Sequence, residues 1–186
     1  MQKFLIIDGN SLAFRAFYAL PFLTNHESTP TGGVFGFMNM FLKVVEECRP
    51  THIAIAFDYG KKTFRNQIFA DYKGTRKETP EELRTQFPIL KNLLRKMNIT
   101  VIEKEGFEAD DIIGTLAKTL PSKKIVLSGD RDLLQLIDDN VEVWLTHKGI
   151  SEIHKTDEKA LLRDYGVTPK QVIELKALMG DTSDNI

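Results

Sequence analysis

The chain has 186 residues, 42% hydrophobic and 27% charged, as an ordinary soluble protein with one real core does. Its single cysteine, Cys48, excludes an intrachain disulfide and fits a reducing compartment. The apolar run Phe4–Ile7 ahead of Asp8 is too short for a signal-peptide core or a membrane span, so a cytoplasmic protein without a membrane partner is expected.

Phe4–Ile7 reads as a buried parallel strand. Asp8-Gly9-Asn10-Ser11 is a turn into a helix that runs from Leu12 to Leu20 and stops at Pro21. Residues 22–33 form a loop, and Val34, Phe37, Phe41, Val44 and Cys48 are spaced as one helix face. Ile53–Phe57 is a second strand, followed by a polar, basic stretch over 59–78 with little period. Thr79-Pro80-Glu81-Glu82 reads as a capping box with Pro80 at the first helical position. The helix it opens carries Leu83, Phe87, Leu90, Leu94 and Met97 on one face, with a kink expected at Pro88. Ile99–Glu103 is a third strand, Glu108–Leu120 a helix with Ile112, Ile113, Leu116 and Leu120 inward, and Ile125–Leu127 a fourth strand. A short helix over Asp132–Ile137, a fifth strand Val141–Leu145 with an extension at Gly149–Ile153, and helices around 157–164 and 169–179 complete the chain. Strands alternating with helices predict an α/β fold, three layers with a mainly parallel central sheet.

Nine acids fall where strands hand over to helices or loops: Asp8, Asp58, Glu108, Asp110, Asp111, Asp130, Asp132, Asp181 and Asp184. In an open α/β sheet, chemistry gathers at the carboxyl ends of the strands. Two unit charges about 4 Å apart repel by about 4 kcal/mol at an effective dielectric near 20, so converging acids call for a cation. Oxygen donors without a Cys/His set point to Mg²⁺ or Mn²⁺. Glu108/Asp111 and Asp181/Asp184 pair at i, i+3, and Asp130/Asp132 follow Ser128-Gly129. One such pair is explained by helix-dipole complementarity, and an Asp before Gly-Asn by turn chemistry. Three pairs plus two strand-end aspartates resemble a two-metal phosphodiester site. The formal charge of −1 argues at first against a nucleic-acid partner. Taking nine from 26 acids leaves 17 against 25 Lys and Arg, a balance of +8 for the rest of the molecule, which suits a polyanion that must touch metals.

The segment Lys61–Lys77 carries Lys61, Lys62, Arg65, Lys73, Arg76 and Lys77 against Asp71, with Phe64, Phe69 and Tyr72 between them. It reads either as a solvated basic loop or as a mobile arm that meets phosphates with cations and bases with rings. Arg15 in the first helix is placed to face the same pocket. The four histidines lack metal-ligand spacing, no phosphate-binding glycine loop is present, and Cys48 belongs to a core face.

These motifs, taken in order, resemble one family over essentially the whole chain. They are Ile7-Asp8-Gly9-Asn10-Ser11 with Phe14-Arg15-Ala16-Phe17, Ala56-Phe57-Asp58, Phe64-Arg65, Asp71-Tyr72-Lys73-Gly74, Phe107-Glu108-Ala109-Asp110-Asp111-Ile112-Ile113-Gly114, Ser128-Gly129-Asp130-Arg131-Asp132-Leu133 and Leu178-Met179-Gly180-Asp181-Thr182-Ser183-Asp184-Asn185. The chain looks like the N-terminal 5′-nuclease domain of bacterial DNA polymerase I, related to flap endonucleases and other PIN-like nucleases. The resemblance implies one domain over 1–186 with a basic arch-like segment at 61–79, and hydrolysis of DNA with 5′ ends or flaps, or of RNA–DNA primers. It implies two metal ions on the nine acids, with Asp181 and Asp184 serving the second. Lys73 would reach the scissile phosphate, Arg15 would steer it, and Arg65, Tyr72, Arg76 and Lys77 would contact nucleic acid. It implies a monomer in the nucleoid, joined to a polymerase in the full-length protein. The helix–three-turn–helix that follows Ser-Asp-Asn in the family and the polymerase part are expected to be missing from this chain.

Two rivals remain. A Mg²⁺-dependent phosphatase or receiver domain would show a second Asp two residues after the strand-end Asp, where this chain has Asn10, or a smaller acid set without the basic arm. A non-catalytic nucleic-acid-binding fragment would bind without cutting.

Overall fold

In a computed structural model, residues 2–60, 62–147, 149 and 152–186 are described. Six strands form one sheet: β1 (Lys3–Asp8), β2 (His52–Ala56), β3 (Thr100–Ile102), β4 (Lys123–Ser128), β5 (Val141–Thr146) and β6 (Ile153–Thr156). Their order is β3-β2-β1-β4-β5-β6, parallel throughout except for β6, which runs antiparallel to β5. The expected mainly parallel three-layer α/β fold is therefore present.

The alternation along β1 builds the layers. Leu5 and Ile7 face a core completed by Phe37, Phe41, Leu90 and Leu94, and Ile6 faces a second core with Ile113, Val126, Val143 and Leu161. On the first face pack α1 (Gly9–Ala19), α2 (Gly32–Cys48) and α5 (Gln86–Lys96). On the second face are α6 (Ala109–Thr119), α7 (Glu158–Tyr165), α8 (Pro169–Met179) and a 3₁₀ turn at Arg131–Leu136. Cys48 is a free, buried thiol in the first core, as its spacing predicts. No helix among the described residues is long and apolar enough to cross a membrane.

Several elements differ from the sequence expectation. The basic stretch holds a short helix, α3 (Phe64–Ile68), opened where Asn66 Oδ1 accepts the Thr63 N–H at 3.0 Å. Pro80 precedes the helix α4 (Glu81–Arg84) as its cap residue instead of occupying its first position, and no side chain caps that end. The expected kink is a break at Thr85 between α4 and α5. Pro88 has no N–H for the Arg84 carbonyl, and its place in the first turn of α5 leaves that helix intact. The predicted extension at Gly149–Ile153 is a separate strand, β6; Ile150 and Ser151 lie outside the described residues. α6 buries Ala109, Ile113 and Ala117, while Ile112, Leu116 and Leu120 are only partly buried.

Candidate active site

The parallel strands all end at one edge of the sheet, and the register brings their last residues level. Asp8 pairs with Ala56 across β1–β2, and Ile7 with Leu127 across β1–β4. Asp8 Oδ1 accepts the Ser11 N–H at 2.9 Å and so caps α1, while Oδ2 accepts the Ser128 hydroxyl at 2.7 Å. Turn chemistry and site placement therefore coincide in this one residue. Asp58 follows β2 and takes the Ala109 N–H at 2.8 Å, which ties it to the start of α6. Asp130 follows β4 and takes the Asp132 N–H at 2.8 Å.

A cavity of about 850 Å³ opens at this edge. Asp8, Asp58, Glu108, Asp110 and Asp130 line it, together with Arg15, Lys73 and Arg76. Burial pushes the Asp8 carboxyl up to about 6, and Asp58 and Asp130 add to the rise against the Ser11 and Ser128 hydrogen bonds. Burial likewise pushes Asp110 up to about 8, with Asp8, Asp130 and Asp58 adding and Lys73 offsetting only a little. This is how acids behave when they face one another in a partly dry site.

The other four predicted acids surround this cavity without lining it. Asp111 receives two hydrogen bonds from the Arg65 guanidinium, both 2.8 Å, and accepts the Glu108 N–H at 2.9 Å. Burial works to raise its carboxyl, but the Arg65 and Glu108 bonds outweigh it and hold Asp111 below the usual range. Asp132 and Asp181 share Lys176, at 2.9 and 2.7 Å. Burial leaves Asp132 raised despite that lysine, whereas Lys176 and the Ser183 hydroxyl hold Asp181 well below the usual range. Asp184 accepts the Tyr72 hydroxyl at 3.0 Å and Arg76 Nη2 at 2.6 Å. The nine acids thus surround one end of the sheet, five on the cavity wall and four held behind it by cations and a phenol. Among the described residues no three His, Cys, Asp or Glu side chains converge closely enough to hold a cation as they stand. Basic side chains stand among these acids, Lys73 on Glu108, Arg65 on Asp111, Lys176 on Asp132 and Asp181, and Arg76 on Asp184.

The basic segment does not stand off as an arm. Lys61 lies outside the described residues. After α3 the chain turns over 70–75 and lies against the site. Tyr72 is 8% exposed, its hydroxyl between Glu108 Oε2 (3.2 Å) and Asp184, so it is placed to hold acids instead of meeting a base as expected. Lys73 Nζ donates to Glu108 Oε2 at 2.8 Å. Arg76 also donates to the Ser183 carbonyl at 2.9 Å. Lys77 is exposed and does not line the cavity. Arg15 lines it, as expected, and is fixed by the Thr146 and His147 carbonyls at 3.2 and 2.5 Å.

Sequence reasoning passed over several supporting residues. Asn10 Oδ1 accepts the Asp58 N–H at 3.0 Å, and Ser11 Oγ accepts the Gly129 N–H at 2.8 Å. Both stand in the Asp8-Gly9-Asn10-Ser11 turn, where short polar side chains after a strand-end acid were a usable signal. Phe14 and Tyr18, one turn apart on α1, form an aromatic wall of the cavity, and Lys176 had no local signal at all.

A family model described as "5′-3′ exonuclease, N-terminal resolvase-like domain" matches residues 3–166. A DNA polymerase I of Bacillus caldotenax is 50% identical over 188 aligned residues, which cover 100% of this chain and 21% of that protein. The chain therefore spans about one fifth of the length of such relatives. A structure of bacteriophage T5 5′-exonuclease with bound zinc ions superimposes with a TM-score of 0.76 at 25% identity, over 100% of this chain and 69% of that one. A bacteriophage T5 flap endonuclease in a pseudo-enzyme-product complex with DNA and metal ions gives 0.75 at 25% identity with the same coverages.

Proposed function

The chain belongs to the family of 5′-3′ exonuclease N-terminal resolvase-like domains, and from that premise we propose that it is a metal-dependent 5′–3′ exonuclease and 5′-flap endonuclease. It is the nuclease part of a bacterial DNA polymerase I, works on DNA and on RNA–DNA primers as a monomer in the nucleoid, and is joined to a polymerase in the longer protein. The observation that carries this reading is the meeting of Asp8, Asp58, Glu108, Asp110 and Asp130 in one cavity with Arg15, Lys73 and Arg76.

The donor set fits hard divalent cations, Mg²⁺ or Mn²⁺, by its oxygen chemistry and by the raised carboxyls of Asp8 and Asp110, which a bound cation would relieve. The five cavity acids would hold the ions, with Asp132, Asp181 and Asp184 serving a second one once Lys176 and Arg76 release them. Such ions activate water and stabilise the leaving oxygen in phosphodiester hydrolysis. The protein's own side chains do the rest. Lys73, leaving Glu108, and Arg15, pinned at the end of β5, neutralise charge on the reacting phosphate. Ser128, Asn10 and Ser11 keep the strand-end acids in position through the bonds described above.

The test is cleavage of a 5′-flap DNA with Mg²⁺ and with EDTA, beside Asp130→Ala and Lys73→Ala. The expected result is metal-dependent cleavage lost in Asp130→Ala. Cleavage in EDTA, or full activity of Asp130→Ala, would overturn the reading, and binding without any cleavage would favour a nucleic-acid-binding fragment.

A further inference from the structure

The wall formed by Arg15 does not close the site. Beyond it a second cavity of about 450 Å³ opens between the end of β5, β6 and α7, and Arg15 and Gly129 line both cavities. Thr146 lines the second one, is 5% exposed, and its hydroxyl has no hydrogen-bond partner. A buried hydroxyl left unbonded costs about 1–3 kcal/mol, so a donor stands here without an acceptor. The position a β-carbon on Gly129 would take is 2.9 Å from Ser11 Oγ, 3.0 Å from Thr146 Oγ1 and 3.5 Å from Arg15 Nη2. Gly129 is therefore packed too closely against Ser11 and Thr146 to carry a side chain, and it stands with Arg15 at the seam between the two cavities.

The charge of the second cavity is the opposite of the first. Arg15, Arg131, His147 and His154 line it against a single acid, Asp164. That acid is already engaged by Arg163 at 2.6 and 2.9 Å and by His154 at 3.0 Å. The Arg131 guanidinium lies 5.9 Å from the Tyr165 ring centroid, so cation and ring stand side by side. Arg15 spends two bonds on the Thr146 and His147 carbonyls and keeps further N–H donors for a ligand.

We propose that this second cavity is a phosphate-binding subsite for the same nucleic-acid strand, holding a phosphate a few nucleotides from the one cut in the first cavity, with Thr146 and Arg131 recognising it beside Arg15. The proposal rests on the nuclease reading and extends it to substrate placement. The Thr146 hydroxyl donates to a phosphate oxygen, Arg131 supplies charge, and Tyr165 offers a ring to a neighbouring base.

The test is DNA binding in EDTA, where no strand is cut, by the parent chain and by the Thr146→Val/Arg131→Ala double variant. The probe is a 5′-flap DNA in which single phosphates are replaced in turn by neutral methylphosphonate. One position is expected at which the neutral linkage weakens the parent roughly tenfold and leaves the double variant unmoved. Arg131→Ala alone is expected to reduce the salt slope of binding by about one. Thr146→Ser, which keeps the hydroxyl, is expected to bind like the parent and guards against a mere packing defect. A matched pair of 5′-phosphate and 5′-hydroxyl strands tells a terminal phosphate from an internal one. Equal sensitivity of parent and double variant at every position overturns the subsite. Failure of the parent to cut DNA with Mg²⁺ would sink the nuclease reading while leaving this measurement intact, and a parent that binds no DNA sinks both.

Discussion

Lys73 Nζ lies 2.8 Å from Glu108 Oε2, and its backbone, at φ 57°, is in the left-handed region with its N–H on the Asp184 carbonyl at 3.0 Å. The lysine is thus held at the cavity by both ends. Lys73→Ala is expected to lower flap cleavage by about 10²–10³-fold with a smaller change in DNA Kd, since the charge acts mainly on the reacting phosphate. Asp110 and Asp111 are neighbours in sequence with different expected phenotypes. Asp110→Asn is expected to weaken Mg²⁺ binding by at least about tenfold, read by calorimetry. Asp111→Asn breaks the paired Arg65 bonds and is expected to lower stability by about 1–2 kcal/mol in urea unfolding while changing Mg²⁺ affinity little. The sequence shows both acids opening a helix. The i, i+3 capping box turns Asp111 back to the Glu108 N–H, which is a local pattern, while its second partner, Arg65, stands 46 residues away and leaves no local sign.

Among the elements, the strands were the most legible. Phe4–Ile7 and Ile53–Phe57 are continuous apolar runs because both faces of a parallel sheet are covered. The α2 face was equally plain, with Phe37, Phe41, Val44 and Cys48 buried. α3 was hidden because its start depends on one side chain, Asn66, in a stretch without apolar period, and it buries none of its residues. β6 was blurred because it pairs only through β5 and carries His154 and Lys155 outward. The pairing of α1 with α2 was not legible either, since it turns on a close approach. A β-carbon on Gly36 would stand 2.9 Å from both Ala16 Cβ and Leu20 Cδ1. Gly36→Val is expected to cost about 1–3 kcal/mol by overpacking, seen as a lower urea midpoint with an unchanged slope.

Over the whole molecule, the inferred split between a negative pocket and a basic remainder has a consequence for pH. The folded carboxyls of Asp8 and Asp110 sit near 6 and 8 against an ordinary value of 3.8. The folded state therefore holds protons that the unfolded chain releases earlier, and stability falls as pH rises from about 4 to about 8. Thermal unfolding in EDTA is expected to show a melting temperature that drops across this window. Asp110→Asn is expected to flatten the drop, and Mg²⁺ to raise the melting temperature most at the alkaline end. A slope of opposite sign in the metal-free protein would count against the uncompensated-acid account. The order of the strands adds a separate consequence for synthesis. Within this chain β1, with Leu5-Ile6-Ile7 at its heart, is made before both of its neighbours, β2 and β4, so its second neighbour does not exist until residue 128 has been made. At about 5–20 residues per second that interval is on the order of ten seconds. Throughout it, one edge of the nascent β1 waits uncovered, a target for chaperones until β4 arrives.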